Sequence, residues 1–119
     1  MNTKEIGNIG EQKAVEYLLQ NNYQIIERNF RKRGFEIDII ATDKDKTLRF
    51  IEVKTIVDGS LEDAAYSIES RNIYRYASGV DSFLVENPVY KDKPMAMDAI
   101  VIQNDLVIYY DNITGGLLI

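Results

Sequence analysis

The chain contains 119 residues, carries a net charge of −5 at pH 7 and has neither cysteine nor histidine. This length predicts a single domain over residues 1–119. The two missing residue types exclude disulfides, thiol nucleophiles, histidine bases and zinc sites built from either. Any chemistry must therefore use carboxylates, lysine, tyrosine, hydroxyl groups or a hard metal ion bound by oxygen.

Helical spacing and strand-like alternation of apolar residues predict the secondary structure. The predicted elements are a helix at 4–20, strands at 23–30, 35–42 and 47–56, a helical segment at 61–86, and strands at 96–103 and 106–112. We expect Thr3 to cap the first helix and the second to break near Ser78 and Gly79. This order predicts an α/β fold with a central mixed β-sheet flanked by helices.

The charges are distributed unevenly along the chain. Residues 1–54 carry ten basic and nine acidic side chains, whereas residues 55–119 carry four and ten. The densest basic run contains Arg28, Arg31, Lys32 and Arg33. This run is either a phosphate-binding ridge or a solvated loop or edge strand, and the sequence leaves both interpretations open.

The sequence offers no sign of a membrane protein. No stretch reaches the ~18 uninterrupted apolar residues that a spanning helix needs. The first residues, Met1 to Glu5, lack the apolar core of a signal peptide. We therefore expect a cytoplasmic protein without a membrane partner.

Acidic residues on the second and third strands form the main candidate site. A hairpin centred on residue 45 would place Asp38 opposite Glu52 and Glu36 opposite Lys54, all on one face by strand alternation. Facing carboxylates repel each other unless a cation lies between them, and carboxylate oxygens suit Mg²⁺ or Mn²⁺. Lys54 could then orient or deprotonate a water, or stabilise charge on a phosphate. The alternative is a solvent-facing polar side with an incidental Glu36–Lys54 pair.

Glu11 is a second candidate, because it lies within the apolar stripe of the first helix formed by Ala14, Val15 and Leu18. A buried carboxylate is costly unless it is paired or binds a metal. Glu11 is therefore either an accessory carboxylate of the same site or a structural acid that bonds the backbone or Lys54.

The tyrosines are weaker evidence for a functional site. Tyr66, Tyr74 and Tyr76 fall on the second helical segment, and Tyr109 and Tyr110 on the last strand. They could stack on nucleic-acid bases, but packing of amphipathic side chains is the more common role.

Several motifs together resemble the PD-(D/E)xK nuclease superfamily. They are Gly7-Asn8-Ile9-Gly10-Glu11, Asn29-Phe30-Arg31, Phe35-Glu36-Ile37-Asp38-Ile39-Ile40, Phe50-Ile51-Glu52-Val53-Lys54 and Met97-Asp98-Ala99-Ile100. More narrowly, their order along nearly the whole chain resembles the YraN-like family of proposed endonucleases, which is similar to archaeal Holliday-junction resolvases.

The resemblance implies a restriction-endonuclease-like fold and metal-dependent hydrolysis of DNA phosphodiester bonds, with branched DNA as one candidate substrate. It implies that Asp38 and Glu52 bind Mg²⁺ or Mn²⁺ and that Lys54 is the catalytic base or electrostatic stabiliser. Glu11 would be an accessory carboxylate and Glu36 a neighbouring acid. In this interpretation DNA contacts the basic run at Arg31, Lys32 and Arg33.

The chain also departs from the family pattern. Arg71 and Asn72 are the nearest residues to a helix lysine of the family, Ala96 stands where an arginine usually precedes the late Asp, and the chain is acidic. Two alternatives therefore stay open. One is a nuclease-fold module that binds nucleic acid or protein without turnover, and the other is an acidic protein that binds a basic partner through residues 55–119. A homodimer is also compatible with the sequence.

Overall fold

A five-stranded mixed sheet organises the part of the chain that the structure describes. The computed structural model describes residues 1–57 and 73–113. Its elements are α1 (Thr3–Gln20), β1 (Gln24–Lys32), β2 (Phe35–Thr42), β3 (Leu48–Ile56), α2 (Ile73–Glu86), a 3₁₀ turn (Pro88–Tyr90), β4 (Met95–Gln103) and β5 (Leu106–Tyr110). The strand order is β1-β2-β3-β4-β5, with β3 and β4 parallel and the other pairs antiparallel. The predicted α/β fold class is confirmed.

Local hydrogen bonds fix both ends of α1. Asn2, not Thr3, is the cap: its side chain accepts the Glu5 N–H at 2.9 Å and donates to the Glu5 carboxylate at 2.9 Å. The first bond satisfies an N-terminal backbone donor that the helix itself cannot pair, and the second holds the two side chains together. At the other end Asn22 adopts a φ of 66°, and the Tyr23 N–H bonds the Leu18 carbonyl at 3.0 Å. This termination turns the chain directly into β1.

The two helices cover opposite faces of the sheet, each over its own apolar layer. The α1 layer contains Ala14, Val15, Leu18, Ile39, Ala41, Ile51, Ile100 and Ile102. The α2 layer contains Phe30, Ile37, Ile40, Leu48, Phe50, Tyr76, Val80, Phe83, Met95 and Met97. The central strands β3 and β4 lie between the layers, and their interior positions are mostly buried. Among the described residues, no helix is long and apolar enough to cross a bilayer.

The predicted break near Ser78 and Gly79 is wrong, because α2 continues through both residues. Gly79 serves close packing. A Cβ there would lie 2.8 Å from Cδ2 of Phe35 and 3.2 Å from Cδ1 of Ile37. The helix therefore rests directly on β2 at this point. Residues 61–72, the first part of the predicted helical segment, lie outside the described residues.

A second close approach joins α1 to β3. Gly10 is buried, and a Cβ there would lie 1.9 Å from Oγ1 and 3.2 Å from Cβ of Thr55. Gly7, one turn earlier, has nothing within 4 Å of the same position. The contact of Gly10 with Thr55 thus sets the height of α1 above the sheet next to Glu11.

Alanine substitutions at these two glycines should have opposite effects. Gly7→Ala is expected to stabilise the protein by roughly 0.5–1 kcal/mol, because alanine favours the helix. Gly10→Ala is expected to destabilise it by about 1–3 kcal/mol, because the new methyl group overpacks the interface. Urea unfolding of both variants provides the measurement. A Gly10→Ala protein as stable as Gly7→Ala would show that α1 does not approach β3 as closely as described.

Candidate functional site

The register of β2 and β3 brings the candidate acids to the same region. Ile39 pairs with Ile51 and Thr42 with Leu48. This is the register predicted for a hairpin centred on residue 45, and the prediction is confirmed over these pairs. It brings the start of β2 next to the second half of β3.

The ladder between β2 and β3 ends where Asp38 would face Glu52. Its last pair is Ile39 with Ile51. Beyond it, the side chain of Asp38 accepts the backbone N–H of Val53 through Oδ2 at 2.8 Å. A carboxylate therefore bonds a β3 amide beyond the last ladder pair. It lies between the two strands and beside the backbone that carries Glu52.

The side chains of β2 do not alternate regularly through this point, although regular alternation was expected from the sequence. Ile37 and Ile40 both belong to the α2 layer, whereas Ile39 belongs to the α1 layer. The alternation is thus reversed around Asp38. Asn29, which lies opposite Asp38 in the β1–β2 register, has a φ of 54°. The expectation that parity alone would place Glu36 and Asp38 on the face of Glu52 is therefore wrong.

Glu11 approaches Asp38 from α1. Burial raises the pKa of the Glu11 carboxyl above its ordinary value, and the charge of Asp38 raises it further. Glu36 and a hydrogen bond between the Glu11 and Asp38 carboxyl groups act in the same direction, against the opposing charge of Arg28. Asp38 and Glu36 of β2 therefore add negative potential at Glu11 of α1, and such an electrostatic environment favours a cation.

Glu52 lies on the other side of β3, under α2. It is 8% exposed, and its Oε2 accepts the hydroxyl of Tyr76 at 2.7 Å. Lys54 follows on the same strand and is exposed. Among the described residues there is no group of three acidic side chains close enough to hold one ion. Glu11 and Asp38 therefore form one part of the candidate site, and Glu52 with Tyr76 forms another.

The basic run lies at the tip of the β1–β2 hairpin. Arg31 Nη2 bonds Glu36 Oε1 at 2.9 Å, and Lys32 Nζ bonds Glu86 Oε1 at 2.7 Å. Arg33 lies in the turn and is exposed, as are the other two cations. The hairpin therefore presents positive charge beside the acids, with exposed carboxylates as its present partners. Arg71 and Asn72 lie outside the described residues.

Sequence reasoning missed a polar cluster centred on Asp98. This carboxylate is fully buried, and both of its oxygens accept Arg49 Nη1 at 3.1 Å. The hydroxyl of Tyr109 also donates to it, and Arg49 Nε bonds Asp43 at 3.0 Å. Arg49 of β3 is the register partner of Ala96 on the adjacent strand β4, and the resemblance predicts an arginine at position 96. A neighbouring strand thus supplies the cation, and the sequence signal was a lone acid within a buried apolar strand.

Electrostatics support a structural role for this cluster. Burial raises the pKa of Asp98, although hydrogen bonds and the charge of Arg49 oppose that rise. Burial alone would lower the pKa of Arg49, but the charge of Asp98 and the bonds to its carboxylate partners raise it instead. Arg49 therefore stays charged, and breaking such a buried pair typically costs about 3–5 kcal/mol.

These features define an α/β domain that holds carboxylates at the end of a ladder in its central sheet. The chain belongs to the uncharacterised protein family UPF0102, whose profile matches residues 10–102. A UPF0102 protein of Fusobacterium nucleatum is 34% identical over 116 residues, covering 98% of this chain and 96% of the relative. A UPF0102 protein of Petrotoga mobilis is 39% identical over 110 residues, covering 92% and 95%. These names state no activity, and the matched range contains every acid of the candidate site.

Glu11→Gln is expected to stabilise the metal-free protein at about pH 7, because it removes the repulsion between Glu11 and Asp38. An acid whose pKa is raised on folding costs stability as the pH rises above its unfolded value. The gain should therefore disappear at about pH 3.5, below the ordinary glutamate pKa of about 4.3. Urea unfolding at the two pH values provides the measurement.

Glu16→Gln is the matched control, since it makes the same change at an exposed position of α1. If Glu11→Gln were less stable than Glu16→Gln at about pH 7, Glu11 would be a stabilising structural acid.

Proposed function

We propose that this protein is a metal-dependent endonuclease that hydrolyses DNA phosphodiester bonds on a restriction-endonuclease-like fold. One observation carries the proposal: the Asp38 carboxylate lies at the end of the β2–β3 ladder, bonded to the amide next to Glu52. Glu11 joins it from α1. Acids at the end of this ladder, beside an exposed lysine and a basic hairpin, suit a metal ion that would bind a scissile phosphate. Branched DNA is a candidate substrate.

The donor set fits Mg²⁺ or Mn²⁺ in an open site. Mg²⁺ in proteins often uses only one or two carboxylates, and water and substrate phosphate complete its shell. A closed cage of three acids is therefore unnecessary. Asp38 and Glu52 would hold the ion from the two sides of the ladder end, and Glu11 would serve as accessory carboxylate on the α1 side. Bound there, the ion would polarise the phosphoryl oxygen and lower the pKa of a coordinated water.

The other side chains have separate roles in this proposal. Lys54 lies two residues after Glu52 and is exposed, so its ammonium group can reach a water or a phosphate. It would orient or deprotonate the attacking water, or stabilise the charge that develops on the phosphate. Glu36 holds Arg31 at the edge of the site through their ion pair. Arg31, Lys32 and Arg33 would neutralise the DNA backbone.

Metal binding and cleavage should depend on different residues. Asp38→Asn is expected to weaken Mn²⁺ binding at least ~10-fold and to abolish cleavage, because it removes ligand charge. Lys54→Met should retain Mn²⁺ binding but lose roughly 10²–10³-fold in cleavage rate, as when a transition-state stabiliser is removed. Calorimetry with Mn²⁺ and cleavage of linear and four-way-junction DNA measure the two effects.

Asp81→Asn is the control for charge, since Asp81 is exposed on α2. Unchanged binding and cleavage in Asp38→Asn would exclude the proposed site. DNA binding without cleavage under any divalent metal would instead favour the module without turnover.

The basic hairpin should account for part of the salt dependence of DNA binding. Arg31→Gln combined with Arg33→Gln should reduce the slope of log K against log salt by about 0.9 for each phosphate that is no longer neutralised. Lys44→Gln combined with Lys46→Gln provides a control of equal charge, because both lysines are exposed in the turn between β2 and β3, at the opposite end of β2. Binding measured by fluorescence anisotropy over a salt series decides the question. Equal slopes for the two double variants would exclude the hairpin as the DNA-binding surface.

A further inference from the structure

Tyr76 contacts Glu52 from α2, outside the sheet. Its side chain is 3% exposed, and its ring lies in the apolar layer with Val80 and Phe83. Its hydroxyl donates to Glu52 Oε2 at 2.7 Å, and both residues are buried. A phenylalanine would fill this layer equally well. The hydroxyl therefore requires its own explanation, because a buried polar group without a partner is costly.

The hydrogen bond fixes a side chain that would otherwise have several rotamers. Glutamate has three side-chain dihedral angles, so a strand alone does not determine where its carboxylate points. A phenol supplies a hydrogen bond without adding a positive charge, so this contact orients Glu52 while leaving its negative charge in place. Carboxylates that bind metals are commonly held in this way by hydrogen bonds from a surrounding shell.

The position of the Tyr76 hydroxyl is itself constrained. Gly79, one turn further along α2, rests on Phe35 and Ile37, and there is no room for a methyl group between them. This contact fixes the distance between α2 and β2. Tyr76 is thus part of a tightly packed helix, and the packing constrains the position of its hydroxyl relative to Glu52.

We propose that Tyr76 is a positioning residue, which orients the Glu52 carboxylate for a divalent cation. The inference rests on the proposed function, because Glu52 must be a metal ligand for its orientation to matter. Tyr76 acts through Glu52 and does not itself touch the reacting phosphate in this proposal.

A second tyrosine, Tyr109, provides a matched control for the substitution of Tyr76. Tyr109 also donates its hydroxyl to a buried carboxylate, that of Asp98, which Arg49 binds as well. Tyr76→Phe and Tyr109→Phe therefore delete the same chemical group from the same kind of contact. Only the first contact belongs to the proposed metal site.

The experiment measures Mn²⁺ affinity by calorimetry for wild type, Tyr76→Phe and Tyr109→Phe, together with urea unfolding of all three. Tyr76→Phe is expected to weaken Mn²⁺ binding by roughly 10-fold or more, as for other groups that orient metal ligands. Tyr109→Phe is expected to lower stability but to keep wild-type Mn²⁺ affinity. Cleavage of DNA at saturating Mn²⁺ should recover more completely in Tyr76→Phe than in Asp38→Asn.

Each other outcome overturns the inference in a recognisable way. Wild-type Mn²⁺ affinity in Tyr76→Phe would exclude the positioning role while leaving the proposed function intact. An equal loss of affinity in both tyrosine variants would show that the effect comes from general loosening of the fold. A wild-type protein that binds no Mn²⁺, with or without DNA, would overturn the metal site and this inference with it.

Discussion

The hydrogen bond from the Val53 amide to the Asp38 carboxylate is the contact on which the candidate site depends. It lies just beyond the last pair of the β2–β3 ladder, at Ile39 and Ile51. It coincides with the reversal of side-chain alternation in β2 and with the positive φ of Asn29 on β1. Regular pairing of the two strands ends at this point, and a side-chain carboxylate replaces a backbone carbonyl as the acceptor. Irregular strands of this kind commonly re-aim a side chain at a functional position.

Two acidic clusters among the described residues differ in their electrostatic surroundings. Asp98 is fully buried, but Arg49 and Tyr109 satisfy it from two neighbouring strands. That cluster is complete and therefore stabilises the scaffold. Burial and the like charge of Asp38 instead raise the pKa of Glu11, with the charge of Arg28 acting in the opposite direction. Repulsion of this kind costs stability at neutral pH, and the proposed cation would relieve it.

The sequence predicted much of the fold because local patterns decide it. Alternation and the turn after Thr42 were sufficient for the bounds of β2 and for the register of Ile39 with Ile51. It could not predict the reversal at Asp38, because alternation assumes that each strand stays regular. It also mistook Gly79 for a helix breaker, since only the packed structure reveals how closely Phe35 approaches.

The site residues were accessible to sequence reasoning to different degrees. Glu11 stood out because an acid within an apolar helix stripe is costly. Tyr76 did not, because its ring satisfies the apolar pattern of α2 and hides the role of its hydroxyl. Likewise, nothing near Asp98 in the sequence indicates Arg49, which reaches it from another strand. Contacts between distant segments of the chain carry this information, and periodicity within one segment does not.

The net charge of −5 and the proposal of a DNA substrate can be reconciled by where the charges lie. Asp43, Asp98 and Asp111 all bond Arg49. Arg49 lies three residues before Glu52, roughly 10 Å along the strand, which is about one Debye length at physiological salt. These acids contribute to the total charge but little to the field at the hairpin. At the hairpin, the electrostatic field is set mainly by the charges of the hairpin itself.

The ion pairs of the hairpin extend this argument to selectivity. Arg31 and Lys32 are already bonded to Glu36 and Glu86, so a phosphate must replace a carboxylate partner at each cation. Exposed pairs of this kind contribute only about 0–1 kcal/mol, so the exchange is feasible. It nevertheless removes part of the general attraction that a purely basic surface would exert on any DNA. A substrate that places several phosphates at the hairpin simultaneously would overcome this cost better than a single isolated strand. Under the proposed function, the paired cations would therefore favour DNA that presents several phosphates at once over indiscriminate binding.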